Sequence, residues 1–115
     1  MKPAEMVTRL TARGWVEESV ADLPKNRLNA GAKACLSYKG RLSLRYHPDN
    51  GYIRLMIYGH GDERCFQIDY EDRLEPVLEH ILSVQEDLSL DTYLSQYLAI
   101  QAICPVSILM VEQFL

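Results

Sequence analysis

The chain has 115 residues, 48% of them hydrophobic and 24% charged, and carries a formal net charge of −4. That length holds one domain, residues 1–115, with a core of its own, and the composition is that of a soluble globular protein. The acidic excess argues against general nucleic-acid binding and against attachment to anionic membranes.

The N-terminus, MKPAEMVTRL, lacks the apolar run of a signal peptide. The longest apolar run, Val106 to Val111 with Ser107 inside it, is far too short to span a bilayer. Cys35, Cys65 and Cys104 are odd in number and widely spaced, a pattern of free thiols in a reducing compartment rather than of a disulfide framework. The expected location is cytoplasmic.

In chain order, Pro3 to Arg13 reads as a short amphipathic helix. Pro suits its first turn, Glu5 the positive end of the dipole, Arg9 and Arg13 the other end, and Gly14 the residue just past it. Trp15 then folds back as a core anchor. Glu17, Glu18 and Asp22 form an acidic cluster, Leu23-Pro24 breaks any helix begun there, and Pro24 to Gly31 reads as a loop. Ala32 to Tyr38 alternates as a strand. It joins the next through a three-residue loop near Lys39-Gly40, or runs on as one strand with a bulge at Gly40.

Arg41 to Tyr70 is the organising stretch, a three-stranded antiparallel meander cut by two turn signals, Asn50-Gly51 and Gly61-Asp62. Taken as two-residue loops, they set Leu44 against Ile57, Tyr46 against Leu55, Leu55 against Ile68 and Ile57 against Phe66. All three apolar sets then share one face, and widening either loop to four residues keeps that parity. Pro48 falls opposite Ile53 at a position that needs no N–H. The other face carries Arg45, His47, Tyr52, Arg54, Met56, Tyr58, Cys65, Gln67 and Asp69, with Arg54 set across from Asp69 as an ion pair.

After the meander the apolar period changes. Leu74, Val77, Leu78, Ile81 and Leu82 mark a helix to about Gln85, begun by a capping-box spacing at Asp72 and Glu75. A second helix follows Ser89 or Asp91 with Leu94, Tyr97, Leu98, Ile100 and Ile103 as its apolar positions, and it ends before Pro105. The tail VSILMVEQF reads as a last strand. The predicted fold is α+β. An N-terminal helix precedes an antiparallel meander of four to five strands, two C-terminal helices pack on one face, and a C-terminal edge strand closes the chain. Leu42, Leu44, Ile53, Leu55, Ile57, Phe66 and Ile68 form the sheet side of the core, facing Trp15, Leu74, Leu78, Ile81, Leu94 and Leu98.

No catalytic or ligand motif stands out. His47, His60 and His80 lack ligands at metal-binding spacing, so neither metal nor cofactor is expected. Gly59-His60-Gly61 joins antiparallel strands, whereas a phosphate loop opens a helix. Cys65 and His47 share a face but lie two strands apart, too far for a nucleophile and its base. The order helix, three strands, helix is also that of double-stranded-RNA-binding modules, but Asp72-Arg73-Leu74-Glu75 is net acidic where those need basic residues.

The expectation is therefore a non-enzymatic protein-binding module, a small acidic inhibitor of the bacterial toxin-immunity kind. Its partner would be a basic toxin or nuclease domain, met through electrostatic steering. The expected contact residues are Arg45, Tyr52, Arg54, Met56, Tyr58, Gln67 and Asp69 on the open face, with Glu17, Glu18 and Asp22 beside it. The alternatives are a homodimer of the secretion-chaperone kind, or a small ligand-binding or enzymatic domain whose site the fold assembles.

Overall fold

The computed structural model describes residues 1–109. A helix, α1 (Pro3–Thr11), leads into strands β1 (Val16–Glu18), β2 (Ala34–Tyr38), β3 (Leu42–His47), β4 (Tyr52–Gly59) and β5 (Asp62–Asp69). Helices α2 (Leu74–Ser83) and α3 (Tyr93–Gln101) follow, and β6 (Val106–Leu109) closes the order. The strands lie in one antiparallel sheet in sequence order. The α+β class with an antiparallel sheet is as the sequence predicts, but the described residues hold six strands rather than four to five. The unexpected one is β1, whose Val-Glu-Glu has no apolar alternation and is a strand only because it pairs with Cys35 to Ser37 of β2. Met110 to Leu115, the remainder of the expected C-terminal strand, lie outside the described residues.

The meander keeps its predicted parity but slips by two residues at each hairpin. Leu44 faces Leu55 and Tyr46 faces Ile53, while Leu55 faces Phe66 and Ile53 faces Ile68. At the first hairpin the loop is Pro48 to Gly51, with the Asn50 and Gly51 N–H groups both donating to the His47 carbonyl. Pro48 therefore sits in the loop and not in a strand, where its fixed φ suits the second position of a type I turn. At the second hairpin the turn centres on His60 and Gly61, both at positive φ (50° and 80°), the type I′ form that matches strand twist. Asp62 is released to begin β5, where its carboxylate accepts from the Glu63 N–H and pairs with Arg64. The slip also removes the expected Arg54–Asp69 pair: Arg54 faces Gln67, and Asp69 faces Tyr52. The β2–β3 connection is the three-residue loop Lys39 to Arg41.

One face of the sheet, here the inner face, is closed by the helices. Leu36, Leu42, Leu44, Ile53, Leu55, Ile57, Phe66 and Ile68 are fully buried there against Met6 and Leu10 of α1 and Val77, Leu78 and Ile81 of α2. Trp15 is a core anchor as predicted. Gly14 at φ +92° reverses the chain so that the Trp15 N–H reaches the Leu10 carbonyl, and the indole N–H donates to Gln85 Oε1 at 2.9 Å. No side-chain capping bond forms at the start of α2, so the Asp72–Glu75 spacing is not a capping box; Glu75 instead pairs with Arg9 of α1.

Leu94 and Leu98 are not core residues: they are 57% and 63% exposed. The residues α3 presents inward are Tyr93, Tyr97 and Ile100, with the Tyr97 ring 5.9 Å from Phe66 and the Arg64 guanidinium 5.1 Å from the Tyr93 ring. Apolar residues lie all round α3, with Ser95, Gln96 and Gln101 scattered among them, so no single stripe reveals its buried face, and aromatic contacts chose it here. Among the described residues no helix is long and apolar enough to cross a membrane.

Candidate functional site on the outer face of the sheet

The residues expected on the outer face occupy it, but they do not form an open surface. Residues 19–33, a 3-10 turn (Val20–Asp22) followed by an irregular segment, cross that face as a strap. The strap is held internally by Asn29, whose side-chain amide donates to the Pro24 carbonyl at 2.7 Å and whose backbone N–H reaches Asn26 Oδ1. It is held to the sheet by two arginines. Arg54 Nη1 donates to the carbonyls of Arg27 and Leu28 at 2.8 and 3.1 Å, and Arg45 Nε donates to Asn29 Oδ1 at 2.6 Å. Leu28 adds a small apolar cluster with Met56 and Cys65.

Of the expected contact residues, Arg45, Arg54 and Met56 are therefore buried. Tyr52, Tyr58, Gln67, Asp69 and Glu18 are partly exposed, and Glu17 and Asp22 are fully on the surface. Arg45 and Arg54 lie directly opposite each other across β3 and β4. Burying two guanidinium groups side by side is costly unless their donors are met, and strap carbonyls and amides meet several of them. A segment that reads as a loop is in fact the lid of a second, polar layer.

His47 is the extreme case of that layer. It is wholly buried, its ring lies 4.7 Å from that of Tyr52, and among the described residues neither ring nitrogen has a hydrogen-bond partner. Backbone groups of Ala30 and Leu28 approach it without adequate geometry. Burial, and next the Arg54 charge, push its pKa down to about 4, so the imidazole is neutral. Burial likewise pushes the Cys65 thiol up to about 11. Both groups are buried, and that burial disfavours the charged form of each, the imidazolium and the thiolate.

Where the strap leaves the sheet uncovered, a groove of about 460 Å³ remains, lined by Glu18, Ser37, Gly40, Leu42, Ser43, Arg45 and Tyr58. Three residues singled out from sequence, Glu18, Arg45 and Tyr58, meet there from β1, β3 and β4. The Arg45 guanidinium reaches it with Nη1 donating to Ser43 Oγ at 3.0 Å. The buried Cys35 thiol lies between Ser43 Oγ (3.8 Å) and Glu18 Oε2 (3.6 Å), its pKa raised first by desolvation. Burial also raises the Tyr58 pKa, against the lowering effect of Arg45, which keeps the phenol protonated as a donor. The groove thus carries donors on one wall and a carboxylate on another.

Ser37 and Ser43 of the groove went unnoticed in the sequence, where an alternating Ser in a strand reads as ordinary solvent-facing residue. The strap offered one signal, the lone apolar Leu28 between polar neighbours. Among the described residues no three His, Cys, Asp or Glu side chains gather in an arrangement able to hold a metal ion. Compared with known proteins, the chain matches no family model, no curated protein and no solved structure.

Proposed function

We propose that the chain is a cytoplasmic protein-binding module that neutralises a basic partner, a bacterial toxin or nuclease domain, by docking through the β1 edge of the sheet. The observation that supports this reading is the uneven disposition of charge. Of the twelve Lys and Arg side chains, Arg45 and Arg54 are buried, while Arg9, Lys39, Arg41 and Arg64 are paired with Glu75, Glu86 and Asp62. No Asp or Glu is buried among the described residues, so the surface is more acidic than the net charge of −4 suggests.

At the β1 end, Glu17 and Asp22 form no ion pair among the described residues. Beside them Val16 is 63% exposed on the terminal strand of the sheet. A terminal strand offers unpaired backbone groups and an acidic flank attracts a cationic partner from a distance, which suits a chain that must intercept its target quickly. The test is affinity capture from the native host followed by association kinetics. One stoichiometric basic partner is expected, with an on-rate that falls as salt rises and falls again in a Glu17→Lys/Asp22→Lys variant. A partner indifferent to both, or no partner at all, overturns the reading.

A second reading, a homodimer of the secretion-chaperone kind, draws support from α3. Thr92 to Leu109 contain no charged residue, and Leu94 and Leu98 stand exposed one turn apart. Sizing in solution separates the two: the first reading expects a free monomer, the second a dimer dispersed by Leu98→Glu.

A further inference from the structure

We propose that the outer-face groove is a binding site for a small zwitterion, a free α-amino acid, whose carboxylate lies on Arg45 and Tyr58 and whose ammonium faces Glu18. Two charges stand unmatched at this groove. Arg45 is 7% exposed, and among the described residues the groups its guanidinium meets are neutral oxygens, those of Asn29 and Ser43 and the Tyr58 phenol. No carboxylate lies within 4.0 Å of it among the described residues. A buried guanidinium normally meets a carboxylate or phosphate in a two-pronged contact.

Glu18 lines the same groove, partly buried, and its one hydrogen-bond contact among the described residues is the Cys35 thiol at 3.6 Å, a weak donor. The protein therefore holds a cation and an anion in one groove yet keeps them from pairing with each other. A direct ion pair would satisfy both, so the gap between them is a feature of the site. A molecule carrying both charges a short distance apart fills that gap and completes each contact. A simple anion would relieve Arg45 but face Glu18, and a simple amine would do the reverse. The hydroxyls of Tyr58, Ser37 and Ser43 add neutral donors and acceptors, and about 460 Å³ is within the range of small-molecule clefts.

The test is calorimetric titration of the full chain with each proteinogenic α-amino acid in turn, up to about 10 mM, an upper bound for a specific small-ligand site. Matching N-acetylated acids, and amines lacking the carboxylate, serve as controls. At least one amino acid is expected to bind at a single site. Its affinity should fall at least about tenfold in Glu18→Gln and in Tyr58→Phe, the usual loss when one contact to a charged group is removed. Both substitutions lie at the groove rim and leave the strap contacts of Arg45 in place, and circular dichroism checks that each variant folds.

Binding by no amino acid overturns the proposal. So does equal binding by an N-acetylated acid, which would assign the site to anions alone, or binding unchanged in both variants, which would place the ligand elsewhere. The groove lining includes neither Glu17 nor Asp22, and partner capture is read separately through the Glu17→Lys/Asp22→Lys variant, so failure of one proposal is distinguishable from failure of the other.

Discussion

The two faces of the sheet are sealed by different physics. The inner face is closed by three helices over aliphatic and aromatic side chains, and its stability comes from apolar area removed from water and from tight packing. The outer face is closed by a single irregular strap over two arginines, a histidine and a cysteine, and it is held by hydrogen bonds from side chains to strap carbonyls and amides. An apolar layer gains a little from every contact, so it tolerates imprecise geometry. A polar layer gains only where each buried donor finds its acceptor, and it leaves gaps such as the groove and unsatisfied atoms such as those of His47.

That contrast can be broken or sharpened by substitution. The largest effect belongs to the inner face. Leu55→Ala, at the centre of the sheet and fully buried, should cost about 2–5 kcal/mol in chemical denaturation. On the outer face Arg54→Ala should cost about 1–3 kcal/mol, because Gln67 and the carbonyls of Arg27 and Leu28 lose a donor. It should also loosen the strap, seen as faster tryptic cleavage after Lys25 or Arg27. An Arg54→Ala variant as stable and as protease-resistant as the parent would mean that the strap is not fastened by hydrogen bonds.

His47 gives a pH signature. Its folded pKa of about 4 lies below the ordinary 6.5, so the unfolded chain takes up the proton first. The stability this group contributes is intact above pH 6.5, declines as pH falls through that value, and is exhausted below about 4. His47→Phe should flatten the acid limb over that window in urea denaturation. At neutral pH it should change stability by about 1 kcal/mol or less, since no protein hydrogen bond is lost. An unchanged acid limb would assign the dependence to carboxylates. The smallest effect is Leu98→Ser on the exposed side of α3, expected within about 0.5 kcal/mol of the parent. A larger loss would mean that α3 is covered in solution.

Much of this architecture was legible in the chain itself. Period-two alternation from Leu42 to Ile68 determined which residues share a face, because parity survives a two-residue slip of register. The same slip shows the limit of local signals. Pro48 and His60-Gly61 chose the turns, and with them Arg54 gained Gln67 and lost Asp69. The period of α2 announced its buried side, whereas α3, with apolar and polar residues scattered round it, was oriented by Ile100 in the core, the Phe66 ring and the Arg64 guanidinium.

What tertiary structure alone decided is the outer layer. Nothing local in Glu17 to Gly31 says that Leu28 will reach Met56 and Cys65, or that Arg27 and Leu28 will offer carbonyls to Arg54 on a strand far along the chain. Those contacts arise because buried guanidinium groups require acceptors, and the strap's carbonyls and the Asn29 side chain supply them. The candidate site follows from the same cause: Glu18, Arg45 and Tyr58 meet from three strands only once the sheet is formed and the strap has covered the rest.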